Sequence, residues 1–384
     1  MKKTLYIILA SIFLFSCRET ETTSNSGDLD FQSISHKIIE HAHLQPGERV
    51  LLVVKPGRFD SLAIELKARL EEAGAMYLGI VSVDSIQPQS WSTDFTNKLR
   101  ITAKDSLVNV LSSVDLGIML PGATPANDVY TALQQVLNQG KGRTVHFHWE
   151  GAYSINGEPL KMDSKIDSFY QYALLKTDYT ALSQKQQQFE NAMRSTWVEV
   201  STPEGTNLKF QIRDRPVTKQ DGNASMAHMA TAKNLIDREV ELPSGAIRVA
   251  PIEESVEGTI AFPDAMWNNV KAEKVILTFV KGKVTEVNAT MNKDSVVAEL
   301  NAGGDAAYSF REFALGFNPL LKVPADHKWI PYYGYGVGVV RLSLGDNSEL
   351  GGNVKGNYVR WNFFTNATVK VNGEAWVLEG VMIR

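Results

Sequence analysis

Two different patterns follow one another along this chain, and their order constrains the fold more than any other feature. From Asp28 to about Thr180 helical and strand periods alternate. Phe31, Ile34, Ile38 and Ala42 recur at helical spacing, Gln45-Pro46-Gly47-Glu48 interrupts them, and Arg49 to Val54 is a compact apolar strand. Leu62 to Ala73 is again amphipathic. Tyr77 to Val83, Val114 to Leu120 and Arg143 to Trp149 read as buried strands, with a helix over Val129 to Leu137. Such alternation predicts an α/β unit, a mainly parallel sheet with helices on its faces.

After the Gln-rich helical segment Ser183 to Met193 the pattern changes. Strands recur in close succession at Trp197 to Ser201, Asn207 to Ile212, Glu239 to Leu242, Lys274 to Val280, Lys283 to Ala289, Gly336 to Leu344, Asn357 to Phe364 and Ala367 to Val371. Pro203-Glu204-Gly205, Lys281-Gly282 and Asn372-Gly373 supply turns between them. The second half is therefore expected to be α+β and mostly antiparallel, with helices at Lys293 to Asn301 and around Phe310. The division falls into an α/β domain at 29–182 and an α+β domain at 183–384.

The 384 residues are 43% hydrophobic and 21% charged, enough to bury a sizeable core. The formal charge is −4, and without Lys2 and Lys3 the basic residues number 37 against 43 acidic, a net of −6. That balance argues against nucleic acid as a partner. Lys2, Lys3 and the apolar run Leu5 to Phe15 read as a signal peptide over 1–16, too short to span a bilayer stably. Cys17, the only cysteine, follows Leu14-Phe15-Ser16 in a setting that resembles a bacterial lipobox. It is expected to be lipidated, with 17–28 as a tether, so that the chain is anchored in a bacterial cell envelope and faces an extracytoplasmic space. The segment Pro56-Gly57-Arg58 is not a dinucleotide fingerprint, and neither a P-loop nor a Gly-x-Ser-x-Gly elbow occurs.

Several phrases in the second half stand in order: Glu241-Leu242-Pro243-Ser244-Gly245, Ala250-Pro251, Ser255-Val256-Glu257-Gly258-Thr259, Glu312-Phe313-Ala314-Leu315-Gly316-Phe317-Asn318, Leu342-Ser343-Leu344-Gly345 and Arg360-Trp361-Asn362. With Leu44 to Val50 in the first half, they resemble the metal-dependent thermophilic aminopeptidases of the M29 type across roughly 195–384. The resemblance implies an N-terminal α/β domain, a C-terminal domain bearing the site, a homodimer, and two divalent ions (zinc, cobalt or manganese) that generate hydroxide and polarise the scissile carbonyl.

Carried over position by position, that resemblance leaves most of the site empty of ligands. Glu312 matches a family glutamate. Ala246 stands where a first carboxylate is expected, Arg341 where a histidine is, Ser348 where a tyrosine is, and Arg360 and Asn362 where the closing histidine and aspartate are. Carboxylates and imidazoles hold such ions, whereas guanidinium stays protonated and repels them. No metal is therefore expected, and Arg341 and Arg360 are expected to neutralise Glu312, as an inert ion cluster or as a pocket, with Asn362, for an anionic group such as a peptide C-terminus.

Other candidates stand beside this one. His146 and His148 share a strand face near its C-terminal end, where ligand crevices lie in open α/β sheets, and with Glu150 offer a second metal position against ordinary packing. His36, His41 and His43 read as solvent-facing helix residues. Glu253, Glu254, Glu257 and Asp264, with Glu312 and His327, are the set through which an enzyme with relocated ligands would work; the alternative is a solvated loop. Trp329, Tyr332, Tyr333 and Tyr335, interleaved with glycines, read equally as a groove wall or as core. Three functions stay open: a membrane-anchored, non-catalytic relative that binds a peptide, an anion or a partner protein, which is favoured; a leucyl-type metalloaminopeptidase with relocated ligands; and a structural envelope protein.

Overall fold

The computed structural model describes residues 29–384. The signal peptide, Cys17 and the tether lie outside the described residues. Among those residues no helix is long and apolar enough to cross a membrane.

The first half forms the expected parallel sheet. Strands Met76–Ser82, Arg49–Val54, Leu116–Met119 and Arg143–His146 lie side by side in that order. Every residue of Val50 to Val54 is buried, because the sheet is covered on both sides. Helices Phe31–Ala42, Asp60–Glu72 and Ser164–Lys176 close one face through Ile34, Ile38, Leu62, Leu66 and Tyr170. Helices Asp94–Ile101, Leu107–Leu111 and Asp128–Asn138 close the other through Leu99, Leu111, Leu133 and Val136.

A fifth strand of this sheet comes from beyond the expected boundary. Glu239–Glu241, read above as part of the antiparallel half, pairs in parallel with Arg143–His146, Thr144 opposite Glu239 and His146 opposite Glu241. Three residues are too few to show their partner through any periodicity, so only the tertiary structure assigns them.

The second half contains two antiparallel sheets packed face to face. One has five strands in the order Val359–Phe364, Val340–Gly345, Phe310–Gly316, Ala246–Val249 and Thr218–Lys219; the other has eight, built around Val198–Ser201, Asn207–Phe210, Glu257–Ala261, Ile276–Val280 and Thr368–Val371. Ile247, Val249, Phe313, Leu315, Val340, Leu342 and Leu344 meet Val200, Leu208, Ile260, Leu277 and Val369 in the core between them. Helix Lys293–Ala307 adds Val296 and Leu300.

The helix expected around Phe310 is instead the central strand Phe310–Gly316, buried along its whole length. A strand covered on both faces has no alternation to distinguish it from a helix. A bulge at Arg311 interrupts its pairing with Val340–Gly345, so that Phe310 and Phe313 both enter the core.

Candidate functional site

Alternation along the five-stranded sheet sorts its residues onto two faces. Cross-strand partners Arg248 and Ala314, Ala314 and Arg341, Glu312 and Ser343, Ser343 and Trp361, and Arg341 and Phe363 put these side chains, with Ala246, on the face away from the core. That face looks toward the C-terminal ends of Arg143–His146 and Glu239–Glu241. The link between the sheets is short: Leu242-Pro243-Ser244-Gly245 runs from the end of one to the start of the other. Its glycine is required by close packing, since a Cβ at Gly245 would lie 2.7 Å from the Tyr335 carbonyl oxygen.

Between the sheets is a cavity of about 220 Å³ whose lining includes His146, His148, Glu150, Glu239, Glu241, Arg248, Tyr333, Tyr335, Arg341, Glu349 and Trp361. The fold thus brings the histidine pair into one cavity with Arg341, which the sequence presented separately.

Glu312 sits behind this cavity, fully buried, in a cage of guanidiniums. Arg248 Nε donates to its Oε1 at 2.6 Å, Arg341 Nη2 to the same oxygen at 2.9 Å, and Arg311 Nη1 to Oε2. Arg248 and Arg311 also pair with Glu349. Burial pushes the Glu312 carboxyl up, but the charges of Arg248, Arg341 and Arg311 outweigh it and hold the group well below the usual carboxylate range. Arg341 further donates to the Tyr333 carbonyl and lies 4.7 Å from the Trp361 ring centroid.

Arg360 does not join this cage. It stands opposite Leu344, on the core-facing side, where its Nη1 donates to Glu299 at 2.8 Å and its guanidinium lies 3.5 Å over Trp267. Asn362 stands opposite Leu342 on the same side and donates to its carbonyl. The residues of this strand that face the site are Trp361 and Phe363. The expected pairing of Arg360 with Glu312 is therefore corrected, and Arg248 and Arg311 take that part. Arg248 was legible as a lone charge two residues after Ala246 in an apolar strand. Arg311 was not, because adjacent strand residues normally face opposite ways and only the bulge brings it round beside Glu312.

Across the cavity His148 Nε2 lies 3.0 Å from His146 Nδ1, and His146 Nε2 lies 2.8 Å from Thr144 Oγ1. Burial, with His148 adding to it, pushes the His146 imidazole well below its ordinary value, so it is neutral. Burial lowers His148 too, against the pull of Glu241 and Glu150. Burial raises Glu239 to about 8 despite a hydrogen bond from Gln134. The Tyr335 phenol is pushed well up by burial and then by Glu241. Four buried polar atoms around this space have no hydrogen-bond partner: His148 Nδ1, Glu241 Oε2, Arg341 Nε and Ser343 Oγ.

The remaining candidates fall elsewhere. His41 is buried rather than solvent-facing, its Nδ1 2.9 Å from the Gly222 carbonyl and its ring 4.0 Å from that of Tyr179; His36 and His43 are exposed. Glu253 pairs with Arg215, Asp264 with Lys271, and Glu257 accepts from the Lys281 amide, while Glu254 and His327 are exposed. The relocated ligand set is therefore not assembled around Glu312. Ser348 is exposed, and its amide and hydroxyl both donate to Asp346 Oδ1. The aromatic segment divides: Trp329 and Tyr332 belong to the core, Tyr333 lines the cavity, and Tyr335 does both.

Two divalent ions do not fit the residues present. Ala246 has no donor atom, Arg341 is cationic, and both Glu312 oxygens are already engaged by guanidiniums. Among the described residues no group of three or more His, Cys, Asp and Glu side chains is arranged to hold a metal ion.

No family model matches the chain, and no curated protein matches it by sequence. Solved structures do. A 2,5-dihydroxypyridine dioxygenase from Pseudomonas putida KT2440 is similar at a TM-score of 0.62 and 16% identity, over 92% of this chain and 96% of that one. AmpT from Thermus thermophilus is similar at a TM-score of 0.54 and 13% identity, over 88% and 95%. The fold is distantly that of an M29-type aminopeptidase. At this distance the likeness shows the fold alone, and of these two the dioxygenase is the more similar.

Proposed function

We propose that this chain is a non-catalytic binding protein on an M29-type scaffold, whose cleft takes the carboxylate of a small ligand on Arg341 and Arg248. The observation that carries the reading is the cage around Glu312: three guanidiniums meet one carboxylate where the resemblance expects carboxylates and imidazoles around metal ions. With Glu349 included, three guanidiniums face two carboxylates on this wall, while Glu150, Glu239 and Glu241 line the rest of the cavity. Guanidinium suits a planar carboxylate, to which it donates in a fixed fork. The tyrosines and Trp361 supply flat apolar walls. In this reading Cys17, lipidated, holds the chain at an envelope membrane.

The test uses protein purified without chelator. Metal content by elemental mass spectrometry, before and after reloading with zinc, cobalt or manganese, is expected to be far below one ion per chain, with no turnover of a leucyl amide. Calorimetric titration with 3-phenylpropionate is expected to show binding that weakens at least tenfold in Arg341→Gln, the fold of the variant being checked by circular dichroism. Stoichiometric metal with turnover abolished by Glu312→Gln would overturn the reading in favour of an aminopeptidase.

A further inference from the structure

Besides the guanidiniums the cavity carries a second feature that a simple carboxylate would leave unused. Glu241 lines the wall formed by the end of the parallel sheet, and its Oε2 is buried without a hydrogen-bond partner. The ion pairs of Arg248 and Arg341 go to Glu312 and Glu349 rather than to Glu241. The neighbouring His148 also lines the cavity, with its Nδ1 buried and unpartnered. Two groups able to accept hydrogen bonds thus line the same cavity as a guanidinium whose Nε is unpartnered as well. Arg341 is only 2% exposed, so this nitrogen is not satisfied by bulk water.

The hydrogen bonds behind His148 permit an accepting role. If His148 Nε2–H donates to His146 Nδ1, then His146 carries its own proton on Nε2 and donates to Thr144 Oγ1; the distances of 3.0 and 2.8 Å suit both bonds. His148 Nδ1 is then a lone pair. An acceptor pair of one carboxylate and one imidazole lone pair calls for a ligand group with several N–H donors and a positive charge, which is a protonated amine.

Size limits the rest. A cavity of about 150 Å³ holds a benzene ring, so about 220 Å³ suits a ring with a short polar tail. Resting on the carboxylate reading above, we infer that the cleft binds a single free amino acid with a flat or apolar side chain, its carboxylate on the Arg341 wall, its ammonium between Glu241 and His148, and its side chain against Tyr333, Tyr335 and Trp361.

Isothermal titration of the full chain with L-phenylalanine and L-leucine, each beside its deaminated acid and its amide, tests this. Each free amino acid is expected to bind at least tenfold tighter than either truncated form. Glu241→Gln is expected to remove the advantage of each amino acid over its deaminated acid, whose own affinity does not fall. His148→Asn, a second variant in case the first fails to fold, is expected to act in the same direction. Deaminated acids binding as tightly as the amino acids would overturn the inference and leave the carboxylate reading standing. No binding by any of the six would overturn both.

Discussion

Glu312 makes three charged hydrogen bonds from a fully buried position, so replacing it exposes the cost of collecting its partners. Removing one member of a buried ion cluster leaves the others uncompensated, which typically costs roughly 3–5 kcal/mol. Glu312→Gln is expected to fall in that range by urea denaturation, and a change below about 1 kcal/mol would mean that water already screens the arginines. Arg360 is the matched control. Arg360→Gln is expected to leave the calorimetric affinity for 3-phenylpropionate unchanged, because its side chain lies on the other face of the sheet, against Trp267 and Glu299; a tenfold loss would put it back in the site. Glu239 offers a test by pH. Its folded value of about 8 lies above the unfolded one, so between the two the folded state binds the extra proton and stability falls as pH rises. His146 and His148 are shifted the other way, and their contribution is complete above the ordinary imidazole value of about 6.5. Between about pH 6.5 and 8 the Glu239 slope is therefore left exposed, at most about 1.4 kcal/mol per pH unit for one proton. Denaturation at several pH values is expected to show this decline in the native chain and a flatter profile in Glu239→Gln. Equal slopes would show that Glu239 is ionised in the fold.

At the scale of elements, the bulge in Phe310–Gly316 and the short link 242–245 do most to build the site. The bulge turns Arg311 toward the same side as Glu312 while both Phe310 and Phe313 stay in the core. At the far end of that strand, a Cβ at Gly316 would lie 2.0 Å from the Gly336 carbonyl oxygen. The glycines among the tyrosines of 332–338 thus allow backbone to pass against backbone, which brings Tyr333 and Tyr335 to the cavity wall. Gly316→Ala must push these segments apart. It is expected to cost about 1–3 kcal/mol or more in stability and to lower ligand affinity with it, and a neutral substitution by thermal melting would mean that this approach is looser than described.

For the whole molecule, the cavity exists only where the two halves meet, and the Glu239–Glu241 strand ties them together. It is a strand of the parallel sheet made by residues past 183, and it packs Val240 into the same core as Val145. A fragment ending at residue 182 therefore lacks the fifth strand of its sheet and leaves an unpaired edge at Arg143–His146. It is expected to be aggregation-prone or protease-sensitive, whereas a compact, cooperatively melting fragment would show that the first half stands without that strand.

The sequence by itself determined the order of an alternating α/β half and an antiparallel half, since periodicity is a local property that follows from which side of each element is covered. It also determined that Ala246 offers no donor atom and that Arg341 carries a cation, because residue type alone decides this. The distant likeness to an M29-type fold could be read from phrases in order, and the structural neighbours agree with it at the level of fold. Tertiary structure decided the rest. Which face Arg360 and Asn362 occupy depends on register, and a shift of one residue in a strand reverses every side chain. The partner of a three-residue strand, the effect of a bulge, and the meeting of His148 and Glu241 with Arg341 depend on contacts between residues far apart in the chain. No local pattern encodes those contacts, because they arise only when two sheets are packed end to face.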